Sequence, residues 1–145
     1  MFRNFNDLLY ENGVLLIQCG GYGNLQRAIE IFDKAKALPE FSNYFVNWKN
    51  EWNFAKPMDT KIILKELGYR EANVYLTYAP VTFDSKCDYS VYLKTVVLGP
   101  YLKHLPSEEM RVKFVEAIIA LVEKHRSNPK QWTLDYVRLN IFASR

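Results

Sequence analysis

The sequence predicts an α/β domain with a small mixed sheet of about three strands and helices on its faces. Three observations point there. Val14-Leu15-Leu16-Ile17 is a continuous apolar run that follows the turn signal Asn12-Gly13. Residues 73–81 and 132–143 alternate between two sets of side chains, the period of a strand. The segments between these stretches repeat apolar residues at the spacing of a helix face.

The elements follow in order. Phe2, Phe5, Leu8 and Leu9 predict a short helix within residues 1–12. Val14 to Ile17, apolar throughout, reads as a strand buried on both faces, as in a sheet covered by helices on either side. Cys19-Gly20-Gly21-Tyr22-Gly23 is then a flexible loop, and Asn24 is placed to cap a helix whose face is Leu25, Ala28, Ile29, Phe32 and Ala35, ended by Leu38-Pro39. Residues 40–57 are aromatic and irregular. Pro57 and Asp59 open a short helix with Ile62, Ile63 and Leu67 inward and Gly68 as its stop. Residues 73–81 form a strand with Val74, Leu76 and Tyr78 on one face. A helix from about Asp88 to Leu98 ends at Gly99-Pro100. A longer helix starts at Ser107, with Glu108 and Glu109 in its first turn and Lys124, His125 and Arg126 in its last, matching the helix dipole at both ends. Asn128-Pro129 turns the chain into a closing strand from Trp132 to Ala143.

Composition narrows the class. A chain of 145 residues fits one domain, residues 1–145, and its 49% apolar and 24% charged content is that of a globular protein with a core. The net charge of +3 is spread, with Lys and Arg interleaved among acids, so no basic stripe marks a nucleic-acid interface. Cys19 and Cys87 stand far apart without a CxxC partner, which argues against a disulfide framework and a metal site. The longest apolar runs are strand-length, too short for a bilayer, and MFRNFNDLLYENG lacks the order of a signal peptide, so a soluble cytoplasmic protein is expected. Aromatics reach 15%, which reads as a bulky core, an aromatic-lined pocket, or a surface that meets another chain.

Gly13-Val-Leu-Leu-Ile-Gln18 resembles the fifth strand of a class I S-adenosylmethionine (SAM)-dependent methyltransferase, although the family's Pro-Gly-Gly turn is here Glu11-Asn12-Gly13. Pro57 to Tyr69, with Lys65-Glu66-Leu67-Gly68-Tyr69, resembles the helix before the sixth strand, and residues 73–82 that strand. Tyr101-Leu102-Lys103-His104-Leu105-Pro106 and Trp132-Thr-Leu-Asp-Tyr-Val-Arg-Leu-Asn140 are similar to the tail of the group that contains trans-aconitate methyltransferase and malonyl-carrier-protein methyltransferase. The resemblance covers nearly the whole chain and implies the C-terminal, substrate-side half of a Rossmann-like fold. The N-terminal cofactor-binding half, with its Gly-rich loop and ribose-binding acid, is absent from it. SAM is the implied cofactor, expected not to bind this chain alone, and the implied substrate is a small molecule such as a carboxylic acid.

Few residues present themselves for chemistry. Gly20, Gly21 and Gly23 form the sole glycine cluster, a weak mimic of a cofactor loop, because a dinucleotide-type fingerprint needs a βαβ unit with an acid about 20 residues on. Its other reading is a hinge before a helix. His104 and His125 suit structural roles, so no catalytic base is assigned. Arg138, with Tyr136 on the same face of the last strand, offers a fork-shaped guanidinium to a carboxylate; its alternative is an ion pair with Asp135, Glu66 or another acid, or a solvated edge. Tyr44, Trp48 and Trp52 fall where the family carries a variable substrate-covering insertion, and they read as pocket walls, as core, or as an interface exposed by the missing half.

In the family sheet the fifth strand sits between the fourth and the seventh. With the fourth absent, Val14 to Ile17 becomes an unpaired apolar edge that needs a cover. A homodimer, a chain carrying the missing half, or the segment Met1 to Tyr10 is the expected cover. A non-catalytic interaction module that keeps the fold, and an unrelated small α/β binding protein, remain the alternatives.

Overall fold

The computed structural model describes residues 2–126 and 131–145, so the predicted Asn128-Pro129 turn lies outside the described residues. The chain is mixed α/β and falls into two compact units. The first takes residues 1–25, 53–80 and 135–145; the second takes 26–52 and 81–134.

The first unit holds α1 (Phe2–Leu8), β1 (Val14–Gly20), α3 (Pro57–Glu66), β2 (Glu71–Tyr78) and β5 (Val137–Ser144). Its sheet has three strands in the order β1-β5-β2, and β5 runs antiparallel to both neighbours. The expected mixed sheet is therefore antiparallel throughout, with a single parallel bridge, Gly21 to Ala55, beside it among the described residues.

Alternation sorts the side chains. Leu15, Val74, Leu139, Ile141 and Ala143 point to one face and form a core with Leu64 and Tyr69, against which Phe2, Phe5, Leu9 and Leu67 pack. On the opposite face Leu16, opposite Phe142 in register, is 80% exposed. This corrects the reading of Val14 to Ile17 as a strand buried on both faces. An apolar run cannot distinguish a two-sided strand from an edge strand with a bare face, because hydropathy carries no record of which side is covered.

The short helix α3 also turns differently. Ile62 and Ile63 are exposed, and Thr60 and Leu64 are the buried positions. Its end explains the choice. Gly68 takes φ +87°, the Tyr69 amide donates to Leu64 O and the Gly68 amide to Lys65 O. This pair of bonds closes the helix and carries Tyr69 back onto Leu64, fixing Leu64 as the inward residue.

The second unit holds α2 (Gln26–Lys36), a 3-10 turn (Ser42–Phe45), β3 (Val81–Phe83), α4 (Lys86–Tyr92), a π turn (Leu93–Val97), α5 (Gly99–Leu102), α6 (Glu108–His125) and β4 (Trp132–Leu134). β3 and β4 pair antiparallel. Ser85 caps α4 through the Asp88 amide, and Ser107 caps α6 through that of Met110. Phe114, Val115, Ile118 and Ile119 are the buried stripe of α6. Gly99-Pro100 does not simply end a helix: the Leu98 amide closes the π turn on Leu93 O, and Pro100 then sits in the first turn of α5.

The closing strand is broken. Trp132 to Leu134 pairs with β3, residues 135–136 are irregular, and β5 begins at Val137. Asn24, just before α2, accepts at Oδ1 from the Val137 amide at 2.8 Å, just after this break. The Leu25 amide donates to Asp135 O at 3.0 Å, with Leu25 held at φ +56°.

Candidate functional site

The residues singled out in the sequence fall into both units, and each group has its own surroundings. In the first unit, Arg138 is half-buried on β5, opposite Gly20, over which Phe54 packs closely. Its guanidinium stacks over the Tyr136 ring, 4.5 Å from the centroid. Beside it runs a polar row across all three strands: Gln18 Nε2 donates to Asn140 Oδ1 at 2.8 Å, and Asn140 Nδ2 donates to Thr77 Oγ1 at 3.0 Å. The row divides the face into a polar end, with Arg138 and Thr77 opposite one another in register, and an apolar end with Leu16, Phe142 and Val14. A planar cation fixed by an aromatic ring and flanked by amides is suited to an anionic group such as a carboxylate.

In the second unit, Trp48 and Trp52 both pack on Tyr101, with ring centroids 4.5 and 6.0 Å away. Phe32, Phe45 and Phe114 complete the cluster around the same tyrosine. Lys36 Nζ lies 4.2 Å from the Trp48 centroid and pairs with Asp33 at 2.8 Å. Tyr44 stands outside this packing, 40% exposed on the 3-10 turn. The expectation that three aromatics share one role therefore divides, with two in the packed cluster and one at the surface.

Tyr101, at the centre, is fully buried, and its hydroxyl has no hydrogen-bond partner. Burial, with the Asp33 carboxylate adding to it, pushes its pKa far above the ordinary phenol value. The sequence marked Tyr101 only as part of a motif. The i, i+4 spacing of Phe32 and Lys36 on α2 was the available sign that a ring and a cation would meet one aromatic group.

The glycines of the loop serve the fold around them. A Cβ on Gly20 would lie 2.8 Å from Phe54 and 2.9 Å from Asn24 Nδ2. On Gly21 it would run into Leu76 Cδ2 and lie 2.9 Å from Leu139 Cβ. Gly23 has φ +83°. Of the histidines, His104 lies beside Phe45 and Trp48, and His125 Nδ1 is 2.8 Å from Leu121 O in the last turn of α6.

The third feature is the open edge of β1. The Arg145 amide donates to Gly13 O, and the Gly21 amide donates to Val137 O. Backbone groups alternate in direction along a strand, so Gly13, Leu15, Ile17, Cys19 and Gly21 address β5. Val14, Leu16 and Gln18 then turn their N–H and C=O groups away from the sheet. α1 packs on the covered face through Phe2 and Phe5 and does not occupy this edge. Beyond Gly20 the edge is taken, because the Tyr22 amide donates to Ala55 O at 3.0 Å.

Among the described residues, no helix is long and apolar enough to cross a membrane, and no group of three or more His, Cys, Asp or Glu is placed to hold a metal. No family model matches the chain, and no curated protein matches it.

Proposed function

We propose that this chain is the substrate-side half of a class I SAM-dependent methyltransferase, acting in the cytoplasm on a small molecule with a carboxylic acid as the acceptor class. The carrying observation is the strand order. β1, which resembles the family's fifth strand, pairs with β5, which resembles the seventh, and its other edge is open where the resemblance calls for a fourth. A three-stranded sheet in which the strand resembling the fifth has no partner on its outer side is what such a half would leave.

Methyl transfer depends on in-line approach of the acceptor to the sulfonium carbon, so the contribution of this half is placement and exclusion of water rather than acid–base chemistry. Arg138, fixed on Tyr136, holds the acceptor's carboxylate. SAM would be held by the Gly-rich half that the resemblance implies rather than by these residues. A second reading, an interaction module that keeps the fold without the chemistry, is favoured by the exposed apolar side chains at the β1 edge.

The test is calorimetry with SAM up to millimolar concentration, on the chain alone and on the chain mixed with a separately produced cofactor-binding half from the same methyltransferase group. No heat from the chain alone and saturable binding by the mixture, tighter than by the added half alone, supports the proposal. Saturable binding by the chain alone overturns it, as does a mixture that binds no better than the added half.

A further inference from the structure

We infer that Asn24 and Arg138 together form a binding site for a single carboxylate group, with the Asn24 side-chain amide as a second donor beside the Arg138 guanidinium. The inference deepens the reading of Arg138 given above by naming its companion. It rests on that reading only for the carboxylate as ligand class.

Asn24 is a buried polar group with half of its bonding capacity unused. It is 5% exposed, and its Oδ1 accepts from the Val137 amide at 2.8 Å. An N–H donor can be met only by the amide oxygen, so that bond fixes which way the side chain lies and turns Nδ2 away from Val137. Nδ2 carries two N–H groups, and among the described residues nothing accepts from them. A buried donor without an acceptor is costly, whereas an ionised acceptor makes one of the stronger hydrogen bonds a protein offers.

Gly20 sets where these donors stand. Asn24 Nδ2 lies 2.9 Å from the place a Cβ on Gly20 would take. Gly20 and Arg138 are opposite one another in register. Such residues share a face, with Cβ positions about 4.5–5.5 Å apart. The amide therefore stands on the face from which Arg138 rises, in space that only a glycine leaves open. The guanidinium lies over Tyr136 and makes no hydrogen bond or ion pair among the described residues, neither with Asp135 nor with Glu66. Thr77, opposite Arg138 on its other side, accepts from Asn140 at Oγ1 and keeps its O–H as a donor. One fixed positive charge among neutral donors matches a monoanion, a carboxylate rather than a dianionic phosphate. The Phe54 ring, 2.8 Å from the same Cβ place on Gly20, gives the ligand's body an apolar neighbour.

The experiment is a titration of the isotope-labelled 145-residue chain with sodium benzoate at constant ionic strength, read by NMR at the Asn24 side-chain amide and the Arg138 Nε–H. Saturable shifts at both are expected. Benzyl alcohol, a similar ring without the charge, is expected to shift neither. Asn24→Asp keeps an oxygen for the Val137 amide and puts negative charge where Nδ2 stood, so it is expected to weaken benzoate binding about tenfold or more. Arg138→Met is expected to abolish the shift at Asn24. Lys56→Met removes an exposed cation over Tyr22 and is expected to leave binding unchanged. A cooperative thermal unfolding profile checks that each variant is folded.

No saturable shift in the wild type, equal shifts with benzyl alcohol, or unchanged binding in Asn24→Asp overturns the inference. Binding lost in Lys56→Met overturns it in favour of general attraction to surface cations. Inorganic phosphate binding more tightly than benzoate at the same ionic strength overturns the ligand class. None of these measurements uses SAM, so the site and the cofactor-half reading fail separately: benzoate binding by a chain that fails to complement a cofactor half keeps the first and removes the second.

Discussion

Two residues carry unusual local situations, and each yields a direct test. Tyr101 brings a hydroxyl into the centre of an aromatic cluster where nothing accepts or donates to it. A buried group left unpaired costs about 1–3 kcal/mol, so Tyr101→Phe is expected to raise unfolding stability by about 1 kcal/mol in urea titration. A loss of stability would mean that the hydroxyl is bonded in solution. Gly21 is the converse case, since it makes close contact with Leu76 and Leu139 and has no room for a methyl group. Gly21→Ala is expected to destabilise by about 1–3 kcal/mol through overpacking, measured by the same titration. The glycine cluster was legible in the sequence as a break in the chain. Its packing was not, because glycine records only that a side chain is unwelcome and not whether a cofactor or a leucine is the neighbour.

At the scale of elements, helix ends and the alternation that sets Val74, Leu139 and Ile141 on one face were readable, but not which faces of a strand or helix are covered. Ser107, Glu108 and Glu109 announced α6, because caps and first-turn acids act through the backbone of their own helix. The Gly68 stop was equally local, and its φ of +87° follows from the bond pattern it completes. With nothing within 4 Å of its Cβ position, Gly68→Ala is a purely conformational change, expected to cost about 1–2 kcal/mol in thermal unfolding. The inward face of α3 was misread because Ile62 and Ile63 are more apolar than Thr60, whereas the fold uses the row that Gly68 and Tyr69 select. The break at Asp135-Tyr136 escaped the alternation because β4 and β5 are individually regular, and each belongs to a different unit.

Electrostatics at the start of α6 gives a pH test at this scale. The hydrogen bond and charge of Lys94 hold Glu108 below the ordinary carboxylate range, and Lys113 does the same for Glu109. Groups depressed in the fold contribute stability that is present above their unfolded pKa and lost as pH falls through the folded one. Lys113, raised by Glu109, contributes below its ordinary pKa, and that part is lost as pH rises through the raised value. Replacing Lys94 by Met is expected to move the Glu108 carboxyl titration upward by NMR. A titration that stays in place would show that the pair does not persist in solution.

The whole molecule unites a sheet that ends on an open strand with a cluster whose aromatic excess is largely consumed in packing. Of the aromatics that read as pocket walls, Trp48 and Trp52 serve that cluster and Tyr44 stands at the surface, while Arg138 stacks on Tyr136. The sequence carried the three strands of this sheet, because alternation and apolar runs are local patterns; the expectation of an open edge at Val14 to Ile17 came from the resemblance, and the apolar run by itself read as a strand covered on both faces. It did not carry the antiparallel register, the bare outer face or the two-unit division, which arise only when distant segments meet. The central claim, that these residues form the substrate-side half of a methyltransferase, is tested most directly by SAM calorimetry with and without a supplied cofactor half. The account predicts no heat from the chain alone and binding by the mixture tighter than by the supplied half alone. Saturable binding by the chain alone, or a mixture no better than the supplied half, would contradict it.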